Sequence, residues 1–383
     1  MSCWTPEHDD FRQTVRRFVE REILPNVNDW EEQSEAGQFF PRALYRQAAD
    51  IGLLAIGYPE ALGGIAADHL YRVIVTEEIA RAGSGGVLAS LLSHGIGLPP
   101  IVAQGSQALQ QRVVPDVLAG RKIAALAITE PGGGSDVSRL RTTARLDGDH
   151  YVIDGEKVFI TSGLRADWLT VAVRTGGPGA AGLSLIAVPG DTPGLSRTAL
   201  RKMGWWASDT AQLRFEGCRV PAQNLIGEEG SGFRAIMANF NAERLTLAVA
   251  ACAFAQVCLD DALDWARQRQ TFGQPLAQHQ VIRHKLVDMQ TGIASCRPWI
   301  ERLALRLDEG PVDAHTVAEL CMLKNHATRT MQFCADQAVQ ILGGMGFMRG
   351  TRVERIYREV KVMMIGGGAE EIMKDLAARQ LGF

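Results

Sequence analysis

From about Ser231 to Arg269 the chain is alanine-rich, nearly free of glycine and without proline, which predicts one long helix. Its apolar side can be followed through Ile236, Phe240, Leu247, Ala250 and Phe254, at the spacing of one helix face. One position in that seam is not apolar: Glu243 lies between Phe240 and Leu247. A carboxylate on a core-facing stripe is costly unless something pairs with it. Its neighbours three and four residues away are Asn239, Phe240, Thr246 and Leu247, so the helix itself offers no cation. Arg244 follows directly but projects about 100° round the axis. An unpaired carboxyl of this kind titrates above its usual range, as a general base working near neutral pH requires. A solvated Glu243, or one paired with a distant arginine, satisfies the same pattern.

Bulk properties exclude several other classes. With 383 residues, 46% apolar and 22% charged, the chain has the composition of an ordinary globular protein with a sizeable core. A net charge of −3 gives no footprint for nucleic acid or an anionic membrane. Seven cysteines (Cys3, Cys218, Cys252, Cys258, Cys296, Cys321 and Cys334) contain no CxxC pair, and the eight histidines form no HxxxH cluster. No metal site or disulfide framework is expected, and a reducing compartment fits. The polar, acid-containing stretch Ser2–Arg21 reads as neither signal nor transit peptide. The longest apolar run, about Leu247–Leu259, is too short to span a bilayer. A cytoplasmic protein without membrane insertion is the expectation.

Along the chain the texture is helical, then stranded, then helical. Residues 1–122 predict an N-terminal helical domain: a helix opened by Thr5 or Pro6 and interrupted at Pro25, a short one after Pro41, then Asp68–Arg81, Gly86–Gly105 and a last helix capped by Ser106. Residues 123–228 shift to a period of two, with turn signals such as Asp147-Gly148 and Asp154-Gly155. They predict strands at Ile123–Thr129, Arg141–Leu146, Tyr151–Phe159, Trp168–Arg174, Leu183–Val188 and Ala211–Phe215, in a sandwich or barrel-like domain. Residues 229–383 return to the helical period and predict a C-terminal antiparallel bundle. The fold class is therefore α+β.

One glycine-rich stretch, Ile128-Thr-Glu-Pro-Gly-Gly-Gly-Ser-Asp136, follows a strand, where glycines let backbone N–H groups approach a ligand. It is not a dinucleotide fingerprint, because the spacing is wrong and strand texture follows it. A plain glycine turn accounts for it equally well in isolation.

This stretch resembles the Thr-Glu-Pro-Gly-x-Gly-Ser-Asp motif of the acyl-CoA dehydrogenase family. Lys157-Val-Phe-Ile-Thr-Ser162, Arg267-Gln-Arg-Gln-Thr-Phe-Gly273 followed by His279-Gln280, and Gln340-Ile-Leu-Gly-Gly-Met-Gly346 are similar to further motifs of that family, in order, across most of the chain. The resemblance implies a helical, β, helical three-domain fold, a homotetramer and bound FAD. It implies that Thr129 and Ser135 hold the flavin pyrimidine edge and pyrophosphate, that Phe159 packs on the isoalloxazine and that Thr161 bonds near N5. Arg269, Phe272, Gln280, Gln340 and Gly344 would grip the ADP half of an FAD bound mainly by a neighbouring subunit. A guanidinium suits a pyrophosphate there.

The sequence departs from the commonest family pattern at the base. The late Tyr-Glu-Gly-Thr stretch of many members is Gly366-Gly367-Gly368-Ala369 here, so Gly367 stands where a glutamate is expected. A smaller group, including isovaleryl-CoA and long-chain dehydrogenases, carries the base on the long helix in a Glu-Arg context. Asn241-Ala-Glu-Arg-Leu245 matches it with Glu243 at the base position. Asn241, where many members have Asp, and Arg244 are carried over as substrate contacts together with Ser135, Gly366 and Gly367, whose N–H would serve the enolate oxygen. Ala369 replaces a common Thr, and Glu371 fits a polar position on the cofactor side. The implied reaction is α,β-desaturation of an acyl-CoA thioester to a trans-2-enoyl-CoA, with an electron-transfer flavoprotein as acceptor. The side-chain-free run suggests room for a branched or bulky acyl group, isovaleryl- or citronellyl-like, unless Phe159, Trp205 or Trp206 fills it. A straight-chain substrate, an oxidase using O2, a flavin monooxygenase and a non-catalytic binding subunit are the alternatives.

Overall fold

The computed structural model describes residues 3–383. The first helical part comprises α1 (Pro6–Phe18), α2 (Val27–Gln33), α3 (Ala43–Asp50), α4 (His69–Ala80), α5 (Gly85–Leu91), α6 (His94–Gly97), α7 (Pro99–Gln104) and α8 (Gln107–Leu118). Asp68 and Ser106 cap α4 and α8 through backbone N–H groups of their first turns. α1 widens into a π turn over Val19–Ile23 before Pro25. The expected helix Gly86–Gly105 is instead three short helices. Pro99 and Pro100 lack the N–H groups that would continue the ladder and disfavour helical backbone before them. Ser93 turns inward to bond Ala124 O at 2.9 Å.

The middle part holds β1 (Ala124–Ala127), β2 (Thr143–Asp147), β3 (His150–Ile160), β4 (Trp168–Arg174), β5 (Leu183–Pro189), β6 (Leu195–Ala199), β7 (Ala211–Pro221) and β8 (Leu225–Ile226). The sheet order is β6-β7-β3-β2-β4-β5-β8, with β1 also paired in parallel to β4. Its two halves meet at a single β2–β4 bridge, Thr143 to Arg174. They close over one apolar core that includes Ile153, Leu213 and Phe215 from one half and Val171, Val173 and Ile186 from the other. That arrangement is the sandwich-like domain expected. β3 and β7 slip register between Lys157 and Ile160, and this bulge re-aims Phe159 outward.

The last part holds α9 (Gly232–Gln268), a short hairpin of β9 (Gln270–Thr271) and β10 (Gln274–Pro275), then α10 (Gln280–Asp308), α11 (Ala314–Leu342), α12 (Gly344–Phe347), α13 (Arg352–Ile365) and α14 (Glu370–Leu381). α9 packs against α10, α11, α13 and α4. A single apolar core therefore runs from Val15, Ile74 and Leu91 through Leu245, Phe254 and Cys258 to Met331 and Ile356. The two helical parts, separated in sequence by the sheet, are one body. α9 exceeds the apolar run expected from sequence and is long and apolar enough to cross a membrane. Yet 67% of its most apolar stretch is buried inside the fold, where it serves as the central strut.

Candidate active site

The α9 seam is buried at Ile236, Ala250 and Phe254 and half-buried at Phe240, Glu243 and Leu247. The polar member thus sits on the half-buried stretch of the helix between its buried positions. Glu243 keeps some surface as a residue, but its Oε2 is out of solvent and has no hydrogen-bond partner. Burial pushes the carboxyl up to about 7, against the pull of Arg244 and Lys324. The α13–α14 turn, Gly366–Ala369, faces it. A Cβ built on Gly367 would lie 3.7 Å from Glu243 Oε1 and only 2.4 Å from Leu247 Cδ1. The backbone at Gly367 has φ +65° and at Gly368 +109°, which a side chain would strain. Among the described residues the Gly367 N–H makes no hydrogen bond. A carboxyl with one oxygen out of solvent and an unspent backbone donor therefore stand side by side.

Two expectations are corrected here. The space over Gly367 is not simply vacant, because Leu247, one turn beyond Glu243, reaches into it. The tryptophans are engaged elsewhere: the Trp205 indole lies against Gly85, its Nε1 2.2 Å from where a Cβ on that glycine would stand, and the guanidinium groups of Arg349 and Arg358 lie 4.4 and 3.7 Å from the centroid of the Trp206 ring. Arg244, expected to meet a substrate, is 3% exposed. Its Nη1 donates to Asn241 Oδ1 at 3.1 Å and its Nε has no partner.

The glycine-rich loop is fastened to β3 by its own acid. Glu130 Oε1 accepts from Lys157 Nζ at 2.8 Å, and its two oxygens accept the N–H groups of Arg141 and Thr142. Lys157 is fully buried and also donates to Ile128 O. Burial pulls the Lys157 ammonium down to about 8 although Glu130 opposes it. Burial alone would raise Glu130, but Lys157 and these donors hold it below its usual range. Val158 N–H donates to Thr129 O at 2.8 Å, so Thr129 and Phe159 are set on adjoining backbone. A Cβ at Gly132 would meet nothing within 4 Å, and the N–H groups of Gly134 and Ser135 are unspent among the described residues. Phe159, at φ +63°, is 69% exposed. A large aromatic held outward in a left-handed backbone beside free N–H groups and Thr161 fits a planar cofactor with a phosphate tail.

The remaining candidates lie on the surface of the third part. Arg269 ends α9, and Phe272 on the β9–β10 turn is 97% exposed at φ +51°. Gln280, Gln340, Gly344 and Glu371 are exposed on α10, α11, α12 and α14. Among the described residues no hydrogen bond, ion pair or ring contact joins any of them to the loop at Gly132–Ser135. Their exposure is what a contact made across a subunit boundary requires.

Sequence reasoning missed Lys324 of α11. It is fully buried, and its Nζ donates to Met364 O at 2.9 Å and Gly368 O at 2.7 Å. The signal was there: its helical neighbours Leu320, Cys321, Ala327 and Thr328 are apolar or small, so a lysine among them needs a buried partner. A cleft of about 630 Å³ lined by Asp50, Ile65, Leu118 and Arg121 lies apart from all these groups.

Comparison with known proteins agrees with this geometry along the whole chain. Residues 5–121, 125–218 and 230–382 match the families described as acyl-CoA dehydrogenase N-terminal, middle and C-terminal domains. The chain is similar to the mitochondrial long-chain specific acyl-CoA dehydrogenase of Rattus norvegicus, 35% identical over 99% of this chain and 87% of the relative. It is also similar to the short-chain specific enzyme of Mus musculus, 37% identical over 98% and 90%. Among solved structures, a putative acyl-CoA dehydrogenase from Mycobacterium smegmatis superposes with a TM-score of 0.96 at 48% identity, covering 99% of both chains. An acyl-CoA dehydrogenase from Bacillus anthracis complexed with FAD does so at 0.92 and 30%, covering 99% of this chain and 68% of that one.

Proposed function

The chain belongs to the acyl-CoA dehydrogenase family, and from that premise we propose that it desaturates a branched or bulky acyl-CoA thioester with Glu243 as the base. It is an FAD-dependent oxidoreductase. The observation that carries the assignment of the base is the Glu243 carboxyl, with its Oε2 out of solvent and without a hydrogen-bond partner, raised to about 7 and facing the bare backbone of Gly367. A carboxyl so poised takes a proton near neutral pH without needing a helper.

Thr129, Ser135, Phe159 and Thr161 would hold the flavin end of the cofactor. Arg269, Phe272, Gln280, Gln340, Gly344 and Glu371 would serve the nucleotide end of a neighbour's, in a homotetramer. Glu243 would take the proton from C2 and later return it to water, and FAD, when bound, would supply the acceptor for the hydride of C3, so that a C2=C3 double bond results. The Gly367 N–H is free to stabilise the charge that develops on the thioester oxygen. Arg244 holds Asn241, and through it the approach of the substrate. The electrons then pass to an electron-transfer flavoprotein, and a cytoplasmic location belongs to the same reading.

The branched-chain reading rests on the Gly366–Gly368 run. Leu247, a flexible aliphatic side chain, reaches nearest to that space on Gly367's side, with the Glu243 carboxyl behind it, and its rotation sets how much room there is at C3. Anaerobic titration with butyryl, octanoyl, palmitoyl, isovaleryl and citronellyl thioesters, followed by flavin bleaching, tests both parts. Preferential bleaching by the branched thioesters is expected. Preference for palmitoyl or butyryl would overturn the substrate class, and no bleaching by any thioester would overturn the reaction.

A further inference from the structure

The turn that faces the base has no side chain with which to hold itself. Gly366, Gly367 and Gly368 follow one another, and two of them have left-handed backbone; glycine has the most conformational freedom to lose on ordering. A productive site nevertheless needs the Gly367 N–H fixed within a fraction of an ångström. One buried side chain spans the turn. Lys324 donates to the carbonyl of Met364 on its near side and to that of Gly368 on its far side. The next residue on α11, Asn325, donates to Glu370 O at 3.0 Å, so α11 grips the turn and the start of α14 together.

The same ammonium is one of two cations acting on Glu243, with Arg244 the other. The charged and titratable groups acting on Lys324 are Glu243, Arg244, Cys321 and Glu370. We infer that Lys324 is a positioning residue for the dehydrogenation: its ammonium clamps the glycine turn against Glu243 and supplies positive charge that favours the carboxylate form of the base. The inference rests on Glu243 being that base. Burial pulls Lys324 down to about 8, so it is still largely charged at pH 7, where Glu243 is half ionised, and loses its charge as pH rises through 8.

Three substitutions separate the two tasks. Lys324→Met removes clamp and charge, Lys324→Gln keeps two N–H donors without the charge, and Lys324→Arg keeps the charge. In the FAD-loaded enzyme, both neutral variants are expected to move the acid limb of the kcat/KM profile upward by about one pH unit. At pH 7 that alone lowers kcat/KM about fivefold, with a larger fall in kcat than rise in KM. Lys324→Arg is expected to retain the wild-type limb. Amide hydrogen exchange over residues 363–369 is expected to quicken in Lys324→Met and stay near wild type in Lys324→Gln. Unchanged acid limbs in the neutral variants, or unchanged turn exchange in Lys324→Met, would overturn the inference. If Lys324→Met does not fold, the Gln variant carries the test through its acid limb alone. Failure of Glu243 as base would show separately, as turnover surviving in Glu243→Gln, whereas the exchange reads the clamp regardless of catalysis.

Discussion

The pH dependence of the reductive half-reaction offers a direct check on Glu243. Its carboxyl is lifted from 4.5 to about 7 by burial, with Arg244 and Lys324 only partly offsetting the desolvation. The ionised fraction is then about a tenth at pH 6, half at pH 7 and nine-tenths at pH 8, so kcat/KM should climb roughly tenfold over those two units. An exposed glutamate would be ionised throughout and give a flat profile. Replacing it by glutamine should cost ~10²–10⁴-fold at every pH. The same shift makes a stability statement with a definite sign. A carboxyl whose folded pKa is raised contributes stability that is fully present below about 4.5 and lost as pH rises through about 7. Above that, the wild type carries a deficit of about 3 kcal/mol that Glu243→Gln lacks. Stopped-flow bleaching with the preferred thioester from pH 6 to 8.5 and thermal melts of both proteins at pH 5 and 8 read the two effects. A flat profile between pH 6 and 8, or a glutamine variant that keeps more than about a tenth of the rate, would refute the assignment.

Other perturbations have equally definite outcomes. Gly367→Ala places a methyl 2.4 Å from Leu247 Cδ1 in a left-handed backbone; ~1–2 kcal/mol of stability and at least ~10-fold in kcat should be lost, with partial recovery of rate when Leu247→Ala is added. Lys157→Met leaves Glu130 buried without its cation, so a loss of ~3–5 kcal/mol in thermal or urea unfolding, together with reduced flavin content, is expected. Phe159→Gly should release FAD on dialysis while stabilising the apoprotein by ~1 kcal/mol, because the strained φ disappears with the ring. Glu359 is raised to about 8 by burial and by Glu31. Its contribution is present below the ordinary carboxyl range and lost as pH rises through 8, so the stability gap between Glu359→Gln and wild type should widen with pH and level off above that value.

What could be read from the sequence was local and periodic. The α9 seam and its one polar member needed only helical spacing, and the strands flanked by Asp-Gly turns were visible by alternation. What escaped depended on groups far apart in the chain. Lys324 approaches Glu243 from another helix, and Glu31 and Glu359 share a buried junction near Ser84, Gly85 and Trp205, from opposite ends of the chain. β6 was missed because it pairs on one side only, with β7, and keeps no buried face. α2 was missed because Pro25 and Asn26 read as an end when they are also a beginning. The left-handed backbone of Phe159 leaves no trace in residue type, since phenylalanine is a poor choice for it. Only the resemblance to known motifs pointed there, and the bulge between β3 and β7 supplies the cause.

On the proposed reading, the carboxylate that takes the proton and the turn that faces it come from different elements, α9 and the α13–α14 connection. In such a layout the turn carries no chemistry of its own beyond one backbone donor, so selection on acyl-group shape can act on it, or on Leu247, without risking the proton acceptor. The restriction that remains is conformational: replacements must tolerate left-handed backbone at 367 and 368 and leave two carbonyls for Lys324 to hold. A lineage built this way can change what it accepts faster than it changes what it does.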